Sequence, residues 1–191
     1  SFVNALAGIA VHKGLLETSD PVQKHYPAFQ GHGKDKVTLR NLLQMSSGLK
    51  WSEGYEASPM FSDVLMMLYT TGRRDMAAFT AKQPLRYKPG TRWYYSSGES
   101  NLLTATWRNR GGKAKCSKWA WKELFDKLGM KSVTWERDNA GTFVDSSYLH
   151  ATPRDMARFG FLYLNDGVWN GKRILPKGWV KFTATVPESD Y

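Results

Sequence analysis

Residues 2–13, from Phe2 to Lys13, carry apolar side chains around nearly the whole circumference of a helix. A surface helix shows one apolar stripe, whereas a helix apolar all round must be wrapped by other elements on every side. Gly14 follows where a left-handed C-terminal stop belongs. Ser1 stands in the N-cap position with Asn4 third in the helix, so a central helix begins at the first residue given. The expectation is a fold built around this helix, with its N-terminal continuation lying before Ser1.

The rest of the chain must supply the wrapping, and it reads as helices with few strands. Residues 18–36, with Pro21, Pro27, Gly31 and Gly33, read as an irregular excursion. Thr38 caps a short helix bearing Leu39, Leu42, Leu43 and Met45, with Gly48 of Ser46-Ser47-Gly48 as its left-handed stop. Ser58-Pro59 opens a helix through Met60, Val64, Leu65, Leu68 and Tyr69, and a third follows Asp75. Met60, Met66, Met67 and Met76 at helical spacing read as packing before they read as a binding stripe. Leu102, Leu103, Ala105 and Thr106 mark a helix ending near Gly111, and Ser117 begins another that runs to Gly129. Thr152-Pro153-Arg154-Asp155 combines a cap, a first-turn proline and an acid at the third position. Asn170-Gly171 predicts a tight hairpin, and Pro176 to Thr185 one more helix. Residues 131–136 and 142–145 are the strand candidates; both are short, and a lone short strand is unstable.

At 191 residues with 41% hydrophobic and 14% aromatic side chains, the chain fits one globular domain, 1–191. No apolar run approaches a membrane span. Lysine and arginine exceed the acids by ten, with one local cluster at Arg108, Arg110, Lys113, Lys115 and Lys118. Glycines 111 and 112 interrupt it, and no nucleic-acid-binding signature accompanies it, so a solvated loop is the reading and no nucleic-acid partner is expected. Cys116 is the only cysteine, which forbids an internal disulfide. The four histidines lack metal-site spacing, and no phosphate-cradling glycine loop occurs. Neither metal nor cofactor is expected.

Lys88-Pro89-Gly90-Thr91-Arg92-Trp93-Tyr94-Tyr95-Ser96-Ser97-Gly98 is the segment that bears chemistry. It holds Tyr95 on a tight loop after a Pro-Gly turn and before an apolar helical pattern, with the hydroxyl of Ser97 two positions on. A tyrosine so placed can transfer a proton in a serine hydrolase that lacks a catalytic histidine. Local features also allow Trp93–Tyr95 to be an aromatic packing segment, and on those features alone packing has the advantage. Ser146-Ser147-Tyr148 is open between a cleft wall and a turn. Ser46-Ser47-Gly48 is explained by helix capping, and Arg154 and Asp155 by first-turn electrostatics.

Residues 37–49, Pro89-Gly90 with Tyr95-Ser96-Ser97-Gly98, and Leu128-Gly129-Met130 resemble, in that order, the class C β-lactamase-like serine hydrolases. That superfamily includes penicillin-binding DD-peptidases, esterases and 6-aminohexanoate-oligomer hydrolases. Ser146-Ser147-Tyr148-Leu149, residues 151–160 and Gly178-Trp179 extend the resemblance across essentially all 191 residues. It implies an α/β, β-lactamase/DD-peptidase-like (transpeptidase) fold, of which this chain supplies mostly the helical region with few short strands. It implies three catalytic elements: a Ser-x-x-Lys at the start of a buried helix, a Tyr-x-Asn or Tyr-x-Ser loop, and a Lys-Thr-Gly-like strand. Tyr95 and Ser97 match the second, with serine in place of the commoner asparagine. The first is expected just before Ser1 and the third beyond Tyr191, so the domain is expected to be truncated at both ends.

The implied reaction is acyl transfer to or from an amide or ester through a serine acyl-enzyme, with Tyr95 as general base or acid. The 191 residues alone are expected to be inactive. The partner is a small-molecule substrate, and the resemblance points to an exported or periplasmic bacterial protein. Two other functions stay open: a non-catalytic binding or scaffold member of the same fold, and a basic helical protein that binds anionic polymers.

Overall fold

The computed structural model describes residues 1–55, 61–111 and 118–186. Helix α1 (Phe2–His12) buries Val3 and every residue from Ala5 to Ala10, as its all-round apolarity requires. Its end is a Schellman motif: Gly14, at φ 65°, donates to Val11 O at 3.0 Å, while Leu15 N reaches Ala10 O at 2.8 Å. Ser1 makes no capping bond. Asn4 does not turn back to the helix start either. Its Oδ1 accepts from Tyr163 Oη at 2.8 Å, Trp179 Nε1 at 3.0 Å and Thr183 Oγ1 at 3.1 Å.

The 18–36 segment is less irregular than its prolines and glycines predict. It contains α2 (Val22–His25) and a 3₁₀ turn at Lys34–Lys36. Asp20 organises it, accepting from Glu17 N at 3.1 Å, Lys24 Nζ at 2.5 Å and His25 Nε2 at 2.7 Å. Burial pushes the Asp20 carboxyl up, but Lys24, His25 and the Glu17 amide together bring it down to about 2.

Helix α3 (Leu39–Leu43) begins with a capping box between Thr38 and Asn41. Its stop is Met45, at φ 53°, rather than Gly48: Met45 N bonds Leu42 O at 3.3 Å and Ser46 N bonds Asn41 O at 2.8 Å. Gly48 is needed for a different reason, since a Cβ there would sit 2.2 Å from Tyr87 O. The predicted start at Ser58-Pro59 lies outside the described residues; α4 (Asp63–Tyr69) is capped by Ser62 and α5 (Met76–Ala81) by Asp75. Met67 and Met76 sit with Trp51, Val64 and Leu68 in a small satellite cluster, so these two methionines of the stripe are packing, while Met66 is half-buried outside it.

Helix α6 (Ser97–Gly111) runs through the main core, with Leu102, Leu103 and Ala105 buried. Helix α7 (118–128) includes a π turn at Trp121–Phe125 and closes on left-handed Gly129; its predicted start at Ser117 lies outside the described residues, as does Cys116. Strand β1 (Thr134–Trp135) lies within the first strand candidate, but 142–145 is not its ladder partner. That partner is β2 (Leu149–His150), antiparallel, and Phe143 makes only an isolated bridge to Arg137. A tight turn joins these two residues, in which Asp138 N bonds Thr142 O at 2.9 Å and Thr142 N bonds Asp138 Oδ1 at 2.8 Å, and Val144 N bonds Glu136 O at 3.0 Å just beyond it. Helix α8 (Pro153–Leu164) has the predicted Thr152 cap. Strands β3 (Val168–Trp169) and β4 (Lys172–Arg173) form the Asn170-Gly171 hairpin, both turn residues having positive φ. Helix α9 (Trp179–Ala184) lays Trp179 against α1.

Candidate active site

Two segments hold Tyr95 in place. Residues 45–50 and 84–94 run beside each other: Lys50 N bonds Pro84 O, Arg86 N bonds Gly48 O and Gly90 N bonds Ser46 O, each at 2.8 Å, while Tyr94 N bonds Met45 O at 2.9 Å. Tyr95 follows directly after the last of these bonds. It is 50% exposed, and its hydroxyl has no hydrogen-bond partner among the described residues. The aromatic segment is therefore not packed away, since Trp93 and Tyr94 are also exposed.

Ser96 and Ser97 start α6. Ser96 Oγ accepts from Glu99 N at 3.2 Å, which makes Ser96 the cap and Ser97 the first helical residue. Ser97 is buried. Its N donates to Glu53 Oε2 at 3.1 Å, its Oγ donates to Glu53 Oε1, and its carbonyl accepts from Asn101 Nδ2 at 3.1 Å. Gly98 gives this turn room, because a Cβ there would lie 2.6 Å from the Trp51 ring.

Asn101 carries the connection onward. Its Nδ2 also reaches Ser146 Oγ at 3.0 Å, and its Oδ1 accepts from Asp145 N at 2.9 Å. Asp145 Oδ1 in turn accepts Val3 N at 3.1 Å. Hydrogen bonds thus run without a break from the first turn of α1, through Asp145 and Asn101, to Ser97. Ser146 is drawn to this side of the fold, while Tyr148 turns away at φ 65° to bond Tyr69 Oη at 3.0 Å. Cavities of about 420 Å³ and 320 Å³ flank the N-terminal end of α1. The larger is lined by Val3, Ser100, Asp145 and Tyr163, the smaller by Trp93, and both by Asn4 and Met45.

Three carboxyl groups near this path, the buried Glu99 and the half-buried Glu53 and Asp145, were not legible from spacing. Glu53 and Asp145 lie far from Ser97 in sequence and reach this region only through the tertiary fold. Burial pushes Asp145 upward, and its Oδ2 has no partner among the described residues. Burial also raises Glu99 to about 8 against a bond from Ser47 Oγ at 2.7 Å, and leaves Glu99 Oε2 equally without a described partner. Ser47 is therefore a buried hydrogen-bonding residue, while Ser46 completes the stop of α3. Asp155 does more than favour a helix start: its carboxylate accepts from Ser132 Oγ at 2.7 Å, Ser132 N at 2.9 Å and Arg158. The Ser132 bonds and then Arg158 hold it below the usual aspartate range.

Among the described residues no group of three or more His, Cys, Asp or Glu side chains is placed to hold a metal ion, and no helix is long and apolar enough to cross a membrane. A family model described as Beta-lactamase matches residues 1–189. The 6-aminohexanoate-dimer hydrolase of Paenarthrobacter ureafaciens is 24% identical over 214 residues, covering 100% of this chain and 54% of the relative. A solved structure from Bacillus anthracis, provisionally named a 6-aminohexanoate-dimer hydrolase, superposes with TM-score 0.78 at 23% identity, covering 94% of this chain and 49% of that one. A D-stereospecific amidohydrolase from Streptomyces superposes with TM-score 0.69 at 20% identity, covering 94% of this chain and 61% of that one. The chain spans about half the length of the curated relatives it matches from end to end. These solved structures share its fold.

Proposed function

The chain belongs to the β-lactamase family, and we propose that the protein containing it is a serine hydrolase that cleaves amide or ester bonds through an acyl-enzyme, with Tyr95 moving the proton. One observation carries this reading. The hydrogen-bonded path Val3–Asp145–Asn101–Ser97 sets the Tyr95 loop beside the N-terminal end of the buried helix α1. A nucleophile in a Ser-x-x-Lys just before Ser1 would face that loop.

The chemistry follows from acidities. A serine hydroxyl attacks a carbonyl only when a neighbouring base takes its proton. A phenol, with an ordinary pKa of about 10, serves as that base when a nearby cation favours its ionised form. The lysine of Ser-x-x-Lys is that cation in this proposal. The proton taken by Tyr95 then passes to the leaving group, and backbone amides hold the oxyanion. The exposed Tyr95 hydroxyl, without a partner among the described residues, fits a group that must exchange a proton with substrate. Ser97 lies behind it as a hydrogen-bonding partner for the lysine or the substrate amide. Relatives named 6-aminohexanoate-dimer hydrolase and D-stereospecific amidohydrolase favour the amide as the bond cleaved.

The test is labelling of the full-length protein with a fluorophosphonate, alongside turnover of a p-nitroanilide and of the matching ester. Labelling is expected, and Tyr95→Phe is expected to lower turnover of both substrates about 100-fold or more. A protein that takes no label, or a variant that turns over undiminished, overturns the proposal.

A further inference from the structure

We propose that Glu53 is a positioning residue of this site, fixing Ser97 as a hydrogen-bond acceptor toward the bond to be cleaved and so favouring amides, which carry an N–H, over esters. This rests on the hydrolase reading above. Glu53 lies in the irregular segment after Trp51, and four donors converge on its carboxylate. Oε2 accepts from Trp51 Nε1 at 2.5 Å and Ser97 N at 3.1 Å; Oε1 accepts from Ser97 Oγ and from Tyr55 Oη at 3.3 Å.

The consequence for Ser97 is directional. An ionised carboxylate only accepts, and a serine hydroxyl has a single hydrogen to give. With that hydrogen on Glu53, the Ser97 oxygen offers lone pairs and nothing else. The bond is charge-assisted, hence stronger than one between neutral groups. Ser97 is 3% exposed, so water does not replace Glu53 if the hydroxyl rotates. Glu53 also takes the Ser97 amide, one of the donors a helix start leaves without an intrahelical partner. The Trp51 ring, tethered to the same carboxylate, fills the space over Gly98. Residues 51–55 thus grip the turn by its amide, its hydroxyl and its open flank.

An amide presents an N–H to such an acceptor; an ester presents an oxygen, which meets the Ser97 lone pairs without a hydrogen between them. A site built around a substrate N–H discriminates strongly against the analogue that lacks it. Glu53→Gln keeps the shape of the side chain but places a donor against Ser97, which releases the hydroxyl hydrogen and reverses the polarity.

The experiment uses the full-length protein, the p-nitroanilide and p-nitrophenyl ester of 6-aminohexanoate, and the variants Glu53→Gln, Ser97→Ala, their double, and Tyr95→Phe. Thermal unfolding of each shows that it is folded and gives the Glu53–Ser97 coupling independently of turnover. Glu53→Gln and Ser97→Ala are each expected to lower kcat/KM for the anilide about tenfold or more and for the ester about threefold or less. The double variant is expected to be no worse than either single one. Equal losses on both substrates, no loss on either, or additive losses in the double variant overturn the proposal. Undiminished turnover in Tyr95→Phe overturns the hydrolase role of Tyr95 whatever Glu53 does. A protein that cleaves neither substrate overturns both proposals, and thermal coupling between Glu53 and Ser97 would then report a structural contact alone.

Discussion

Glu99 shows how one residue can be half legible. Ser96-Ser97-Gly98-Glu99 has the spacing of a capping box, and the Ser96 half forms. The glutamate does not turn back to the helix start. It points into the protein, takes the Ser47 hydroxyl and is fully buried, which raises it from 4.5 to about 8. The folded state therefore holds this proton up to about pH 8, whereas the unfolded chain releases it near 4.5. Between those values the unfolded state binds fewer protons, so stability falls as pH rises and levels off above about 8. The whole effect is on the order of a few kcal/mol. Glu99→Gln keeps the shape and cannot ionise, so it is expected to match the parent at about pH 5 and to exceed it at about pH 8.5. Calorimetric melting temperatures at the two pH values check this. A parent with no larger drop than the variant would show that Glu99 titrates near its ordinary value.

Among the elements, α1 followed from its residues because the signal was local: residues 2–13 are apolar on nearly every face, and Val3 and Ala5 to Ala10 are buried. The Thr38 and Thr152 caps and the Asn170-Gly171 hairpin were legible for the same reason, each depending on three or four adjacent residues. The partner of β1 was not, because strand pairing is decided by the turn between the strands and by what packs across it. Asp138 tightens that turn and also binds Met76 N at 3.0 Å, a tie between segments 62 residues apart. Helix contacts have the same nonlocal character. Gly8 reads as a weak point in a helix, yet a Cβ there would lie 2.6 Å from the buried Trp179 ring. Gly8→Ala is expected to destabilise by about 1–3 kcal/mol despite the better helix propensity of alanine. Gly160, in α8, faces open space where a Cβ would stand, so Gly160→Ala is expected to stabilise by up to about 1 kcal/mol. Urea unfolding of the pair separates packing from propensity; if both shift the midpoint the same way, the Gly8–Trp179 contact does not govern this face of α1.

Across the molecule, the candidate site was legible as a loop and not as a network. The Pro-Gly turn and the helix that follows place Tyr95 and Ser97 from local sequence. Asn101, one turn further along α6, and Asp145 tie that loop to α1, and Glu53 grips it from the segment after Trp51; Glu53 and Asp145 come from distant segments, and nothing in their spacing pairs them with Ser97. Charge is the other property of the whole chain. A net charge of +10 makes copies repel one another through solvent. Against that repulsion stand exposed apolar residues on α8, where Phe161 is 53% and Leu164 80% exposed. The two effects answer oppositely to salt. Screening shortens the repulsion, to about 3 Å at about 1 M ionic strength, while contact between apolar side chains persists. The 191-residue chain is therefore expected to sediment as a smaller species at low salt and to associate as salt rises. Leu164→Lys, which breaks the exposed apolar face and adds charge, is expected to hold it apart at both. Association that weakens with salt would mean that copies meet through opposite charges, and would remove α8 as the contact.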